Sequence, residues 1–177
     1  LAVAPYHVDA LLPEDTPDYI QTAYQSLHYH AITTVYLRYA QAVKLPAPLT
    51  GFADGTAQWV LHRGALGLPD NEVAVVISVS DCTEAWKDKD LAEKIHADIK
   101  RVCPDLGKPE AVRIITEKRA TTAATVDFVQ PDFSWLHHRR IYPAGDYLHP
   151  RYPATLEAAV QSGFAAAEKL MLDLQVE

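Results

Sequence analysis

The spacing of apolar residues changes period several times along this chain of 177 residues. Residues 1–5 are apolar up to Pro5 and predict a short buried strand; residues 8–12 predict one or two helical turns ending near Pro13. Thr16-Pro17-Asp18 reads as a helix start, a threonine cap followed by proline in the first turn, with Tyr19, Ala23 and Leu27 on one face. Over residues 30–39 the period drops to two: Ile32, Thr34, Tyr36 and Arg38 alternate with Thr33, Val35, Leu37 and Tyr39. β-Branched and aromatic side chains at that spacing predict a strand. After the break at Pro46 and Pro48, residues 50–52 and 57–62 predict two short strands around a turn at Asp54-Gly55. The apolar run 72–79 predicts a central strand. Thr83 is placed to cap a helix whose stripe is Trp86, Leu91, Ile95, Ile99 and Val102, ended by Cys103-Pro104. Residues 111–121 predict a long strand, 125–138 an irregular aromatic stretch, 141–144 a short strand and 154–174 a terminal helix.

Strands in succession with helices inserted predict an α+β fold: a mixed, largely antiparallel sheet, flanking helices and a long C-terminal helix. No second core is evident, so a single domain over 1–177 is expected. Residues 1–140 would form the sheet and its helices, and 141–177 the last strand, turn and helix.

Composition narrows the function classes. Net charge is −7, from 16 basic and 23 acidic residues, which argues against a general nucleic-acid binder. The basic run His137-His138-Arg139-Arg140 reads as a solvated turn. Cys82 and Cys103 form no Cys-x-x-Cys pair and no disulfide framework, which fits a reducing compartment. No apolar run approaches the ~18 residues of a membrane span. His28-x-His30 puts two imidazoles on one strand face, but no third ligand is evident, so no metal site is expected.

The segment from Ile141 onward carries the chemistry. A short apolar strand meets Gly145-Asp146, a loop follows, and Pro153-Ala154-Thr155-Leu156-Glu157 opens the terminal helix. Glycine permits a sharp turn and a close approach. The Asp146 carboxylate can accept hydrogen bonds from sugar or sugar-alcohol hydroxyls, or close an Asx turn on its own backbone. Pro153 suits a first helical turn, and the amides after it lack partners inside the helix, so they favour negative charge nearby. Glu157 stabilises the helix dipole. Leu156, Val160, Phe164 (or Gly163), Ala167, Met171 and Leu174 predict a buried stripe. Beside it Ala154, Ala158, Ser162 and Ala166 form a line of small residues, suited either to close packing or to the approach of a flat ligand.

In that order, these pieces resemble the C-terminal flavin-binding motif of the FAD-dependent amine oxidase and phytoene desaturase superfamily. Residues 31–39, Ala57-Gln58-Trp59-Val60 with Arg63-Gly64, residues 75–80 and Glu117-Lys118-Arg119-Ala120-Thr121 resemble one branch of it. That branch is the squalene-associated FAD-dependent desaturases, or hydroxysqualene dehydroxylases, and the resemblance runs from about residue 1 to about residue 172. It implies FAD as cofactor, with Gly145 and Asp146 at the ribityl or phosphate region. Pro153, Ala154, Thr155, Leu156 and Val160 would lie around the isoalloxazine, whose reduced form carries negative charge suited to a helix start. The chain departs from the family at Ala158, where glycine is common, and in the bulky loop 147–152.

The Gly-x-Gly-x-x-Gly turn of the family's N-terminal dinucleotide-binding half is not found; Gly64 and Gly67, the nearest pair, lack a βαβ context. The expectation is therefore a C-terminal fragment of an FAD-dependent oxidoreductase acting on hydroxysqualene- or squalene-type isoprenoids. Alone it would be inactive and would not retain FAD. Its partners would be the missing half and a lipid substrate, with self-association through exposed apolar surface, in the cytoplasm or peripheral at the membrane. Tyr36 and Trp59, with Phe52 and Trp135, are candidates to line an isoprenoid pocket. Lys118 or Arg119 would project into the active site, to help expel hydroxide or hold a polar group, and the other would face solvent. A fragment of a flavin amine oxidase or carotenoid desaturase, and a flavin-independent α+β binding or dimerisation module, stay open as alternatives.

Overall fold

The computed structural model describes residues 1–83 (backbone alone at 82 and 83), 88–126, 130 and 132–175. The period-two run forms β1 (Tyr29–Arg38), followed by β2 (Leu49–Gly51), β3 (Trp59–His62), β4 (Glu72–Ser78) and β5 (Ala111–Thr122). They make one sheet in the order β2-β3-β4-β1-β5. The alternation in β1 decides its faces: Ala31, Thr33, Val35 and Leu37 are buried, while Ile32, Thr34 and Tyr36 are half-exposed. Register then carries that choice across the sheet. Val75 lies opposite both Val35 and Val60, which makes a row of three valines on the buried face. The pairs β1–β4, β2–β3 and β3–β4 are antiparallel. The Glu110 amide donates to the Arg38 carbonyl at 2.8 Å and the Thr33 and Thr116 hydroxyls meet at 2.8 Å, so β5 also runs against β1. The expected α+β fold with a largely antiparallel sheet is what forms.

Helix α2 (Asp88–Lys100) covers the valine face. Leu91, Ile95 and Ile99 recur at helical spacing and are buried against Val35, Val60 and Val73. Trp86 and the side chain of Thr83 lie outside the described residues. The helix stops at Lys100, short of the expected Cys103-Pro104 break. The same helix clamps the loop between β2 and β3. The Asp98 carboxylate accepts the amides of Thr56 (2.6 Å) and Ala57 (2.9 Å). A Cβ at position 55 would lie 2.7 Å from Asp98 Oδ2, which is why glycine stands there. After β4 the chain turns through Val79, whose φ of 55° is costly for a β-branched residue. Asp81, two residues on, anchors this turn: its carboxylate accepts the Ala31 amide at 3.1 Å and meets His30 Nδ1 at 3.1 Å.

The chain forms two compact units, His30–Thr121, just described, and Leu1–Tyr29 with Thr122–Glu177. This division differs from the expected single domain with a break at residue 140. In the second unit Val8, Ile20, Tyr24, Leu136 and Tyr147 share a core. It contains α1 (Asp18–Gln25), α3 (Ser134–His138) and α4 (Leu156–Gln175). The buried face of α1 is Ile20 and Tyr24, one residue away from the predicted Tyr19 face; Tyr19 is 49% exposed. Pro17 occupies the cap position, and the Thr16 hydroxyl donates to the Pro13 carbonyl at 2.7 Å instead of capping. Neither 1–5 nor 141–144 is a regular strand. They pair briefly as extended chain, through Ala144 N–H to the Leu1 carbonyl (3.0 Å) and the Leu1 ammonium to the Tyr142 carbonyl (2.6 Å). Short 3-10 turns follow at Pro5–His7 and Asp9–Leu11. The stretch read as irregular holds the one-turn helix α3, while 127–129 and 131 lie outside the described residues.

Two outcomes follow. Ile95 is fully buried, so Ile95→Ala should cost about 2–5 kcal/mol in urea unfolding. A value near zero would remove α2 from the core. The Ala31 amide and then His30 hold the Asp81 carboxyl below its usual range. Its contribution is therefore present above pH ~4 and lost as pH falls through the lower folded value. Melting temperature should drop more steeply below pH ~4 in the native protein than in Asp81→Asn; parallel curves would refute the anchor.

Candidate functional site

The extended segment 141–144 leads into Gly145, whose amide donates to Ser162 Oγ on α4 at 2.9 Å. Its φ of 172° is ordinary extended backbone, so the need for glycine lies elsewhere. A Cβ there would sit 2.3 Å from Cε1 of Tyr147, because that ring folds back over residue 145. Tyr147 is buried, edge-on to Tyr24 with centroids 6.0 Å apart, and its hydroxyl donates to the Tyr24 hydroxyl at 3.3 Å. Burial, reinforced by Tyr24, pushes the Tyr147 hydroxyl well above the usual tyrosine range. Both hydroxyls thus stay neutral and the pair acts as a structural bolt.

Asp146 opens a 3-10 turn, Asp146–Leu148. Its carbonyl accepts the Ala154 amide at 3.2 Å, which ties the helix approach to the Gly-Asp turn. Its carboxylate is on a half-exposed residue and accepts no hydrogen bond among the described residues. Ala154 has φ 61°, a left-handed conformation that costs alanine about 1 kcal/mol. Thr155 caps α4: its hydroxyl accepts the Ala158 amide at 3.1 Å and donates to the Tyr152 carbonyl at 3.0 Å. Pro153 therefore lies in the loop ahead of the helix. The Leu156 and Glu157 amides have no partner within the helix. Beside them the Leu156 side chain is 89% exposed and Val160 54%.

The two faces of α4 are the reverse of the expectation. The small-residue line packs inward: Ala158 is fully buried, and Ala154, Ser162 and Ala166 are half-buried. The apolar stripe expected to be buried is exposed, with Phe164 at 67%, Met171 at 61% and Leu174 at 51%. Gly145 and Tyr147 occupy the space beside the small face, so close packing is what that face serves. The methyl of Ala158 accordingly points into its own unit.

Sequence reasoning missed the clamp in the bulky loop. His149 stacks on Tyr152, centroids 3.7 Å apart. Its Nδ1 accepts the Arg151 and Tyr152 amides, at 3.2 and 3.3 Å. That leaves the proton on Nε2, which donates to Gln161 Oε1 at 3.1 Å. The Tyr152 hydroxyl donates to the same oxygen at 3.0 Å, and Gln161 Nε2 donates to Glu157 at 2.6 Å. Glu157 is thus engaged in holding the helix start. The usable signal was Gln161, four residues after Glu157.

The sheet-side candidates belong to the other unit. Tyr36 and Trp59 share the sheet face turned away from α2, with Trp59 48% exposed and lying across Gly51. A Cβ at Gly51 would be 3.0 Å from its ring. Phe52 packs against the core, and Trp135 packs in the helical unit, under Arg139. Lys118 and Arg119 are both exposed, on opposite faces of β5. Arg119 has the parity of Arg113 and Ile115, which share a hollow with Tyr36. His30 is occupied by Asp81, and no metal-binding cluster exists among the described residues. None of the helices described is long and apolar enough to cross a membrane.

A family model described as flavin containing amine oxidoreductase matches residues 1–171. The chain belongs to that family. Two hydroxysqualene dehydroxylases are similar to it: one from Zymomonas mobilis, 27% identical over 95% of this chain, and one from Rhodopseudomonas palustris, 31% identical over 97%. The chain spans 37% and 38% of their respective lengths. Its fold is that of a putative protoporphyrinogen oxidase from Exiguobacterium (TM-score 0.59, 18% identity, 95% of this chain, 40% of that one). It is likewise that of a redesigned putrescine oxidase (TM-score 0.63, 13% identity, 97% and 42%). The chain therefore has the flavin amine oxidase-like fold expected from its sequence.

Gly145→Ala should cost about 1–3 kcal/mol in chemical denaturation, through overpacking against the Tyr147 ring. That cost should shrink in a Tyr147→Leu background. An equal cost in both backgrounds would assign the glycine to something other than the ring.

Proposed function

We propose that this chain forms the C-terminal part of an FAD-dependent oxidoreductase that acts on hydroxysqualene-type isoprenoids. The observation that carries the reading is the alignment of two hydroxysqualene dehydroxylases over 95% and 97% of the chain. The family implies FAD, and the residues present fit it. The Asp146 carboxylate is unengaged among the described residues, and it lies ten residues before a helix start whose first amides have no partner within the helix. Leu156 and Val160 present apolar side chains beside those amides.

When bound, the flavin supplies the redox chemistry. In this reading Asp146 accepts hydroxyls of the cofactor's sugar-alcohol chain. The Leu156 and Glu157 amides donate towards the electron-rich edge of its ring. Gly145, Pro153, Ala154 and Thr155 set the backbone that presents these groups, while Leu156 and Val160 exclude water. Tyr36 and Trp59 hold the hydrocarbon, and Arg119, on their face of the sheet, is the stronger of the two cations for holding a polar group. The exposed stripe of α4 is the surface that the remainder of the longer enzyme covers. On this reading the chain alone is inactive, retains no FAD and self-associates. Its setting is the cytoplasm or the periphery of a membrane.

The test uses the full-length enzyme. It should convert hydroxysqualene, and Asp146→Ala should weaken FAD binding about tenfold or more, read as flavin content after gel filtration. The 177-residue chain purified by itself should be colourless. A yellow chain would overturn the loss of FAD. Turnover of amines with none of hydroxysqualene would overturn the substrate.

A further inference from the structure

A hollow of about 560 Å³ opens on the sheet face away from α2, lined among others by Tyr36, Arg38, Arg63, Glu72, Arg113 and Ile115. Three guanidinium groups meet one carboxylate there, in a chain that carries seven more acidic than basic groups overall. Register places Glu72 opposite Arg38, and Glu72 forms an ion pair with Arg63. That pair is largely shielded, with side-chain exposures of 27% and 22%. Arg63 is thereby held with its guanidinium 5.4 Å from the centre of the Tyr36 ring. Glu72 can neutralise one arginine, which leaves the hollow with an excess of two positive charges.

The other two arginines are the informative ones. Arg101 and Arg139 each meet an aspartate, Asp54 and Asp15 respectively. Arg38 and Arg113 are exposed, and their side chains have no partner among the described residues. Gathering like charge without a counter-charge is unfavourable. Planar guanidinium forks are suited to phosphate oxygens, which would supply that counter-charge. The remaining wall is apolar: Ile115 is 45% exposed and Val112, at the rim, 44%. The hollow is far roomier than a bare phosphate requires, and its apolar side has nothing to offer an inorganic ion.

We propose that this hollow binds a phosphate group carried on an apolar chain. The phosphate sits among Arg38, Arg63 and Arg113, and the hydrocarbon lies along Tyr36 and Ile115. Tyr36 is shared with the hydrocarbon surface proposed above, whereas Arg38, Arg63 and Arg113 belong neither to that surface nor to the flavin-facing segment, so phosphate binding here is tested apart from FAD binding and substrate turnover. The same chemistry occurs in a soluble phosphate ester and in the headgroup of an anionic lipid.

The experiment titrates the 177-residue chain with octyl phosphate, inorganic phosphate and octyl glucoside, read by NMR at the arginine Nε–Hε signals. A parallel arm sediments it with phosphatidylcholine vesicles with and without phosphatidic acid. Octyl phosphate should shift Arg38, Arg63 and Arg113 and bind about tenfold or more tighter than either control. The doubly substituted Arg38→Gln/Arg113→Gln chain should lose at least about tenfold in affinity. Both side chains are exposed, so this variant should keep its fold, which its amide spectrum checks. Binding of octyl phosphate without phosphatidic-acid vesicles identifies a soluble ester; co-sedimentation identifies a lipid headgroup, provided the double variant loses it. Equal affinity in native and variant chains, or no binding in either arm, overturns the proposal.

Discussion

The Tyr147 ring folded over Gly145 is the constraint on which the helical unit's candidate site depends. With a Cβ position 2.3 Å from the ring, only glycine lets the chain pass beneath it. The passage brings the Gly145 amide to Ser162 and the Asp146 carbonyl to the Ala154 amide. Those two bonds fix how α4 meets the turn, and they draw the small residues inward. Ala154 then accepts a left-handed conformation worth about 1 kcal/mol of strain. The Thr155 cap, worth about 1 kcal/mol, offsets it at the next residue. The turn thus uses its backbone groups in internal bonds, while the Asp146 carboxylate accepts no hydrogen bond among the described residues.

The outward face of α4 follows from the same packing. Leu156, Val160, Phe164, Met171 and Leu174 are each more than half exposed. Complete burial of such a side chain is worth about 1.5–3 kcal/mol. Five of them, already partly covered, represent on the order of 5 kcal/mol for whatever covers the helix. That is comparable with the whole stability of a small domain, roughly 5–15 kcal/mol. An uncovered stripe of this kind is a binding surface or an aggregation liability rather than a neutral detail.

The strands were readable because period-two alternation and β-branched residues act locally. Residues 30–39 and 111–121 needed no tertiary information: the first strand is observed one residue earlier at both ends, and the second starts as predicted and ends one residue later. The terminal helix was equally plain as a helix, but its pattern showed only that one face is apolar. Which face is covered depends on Tyr147 and Gly145, which no helical periodicity describes. The α1 face slipped by one residue for a related reason: Tyr19 and Ile20 are both apolar enough to be core, and Tyr147 selects Tyr24, which has Ile20's phase. Residues 145–160 were singled out through resemblance, whereas the His149–Tyr152–Gln161 clamp was hidden in a loop read only as bulky.

The sheet illustrates how parity and register together separate chemistry that sequence leaves mixed. On the face away from α2, Trp59, Val76 and Thr34 lie in one row, followed by Leu61, Ala74 and Tyr36, then by Glu72 and Arg38. Across β3, β4 and β1 this face is therefore apolar towards one end of the strands and charged towards the other. Arg38, Arg63 and Arg113 are far apart in the sequence, and none stands out there. Tyr36 sits at the boundary, with hydrocarbon neighbours on one side and a guanidinium near its ring on the other. A flat aromatic at such a boundary can contact both an apolar chain and a cation, because its edge and face differ in charge. An elongated molecule with one polar end matches that gradient better than a compact polar one. Alternation along β5, by contrast, puts Arg119 on this face and Lys118 on the other.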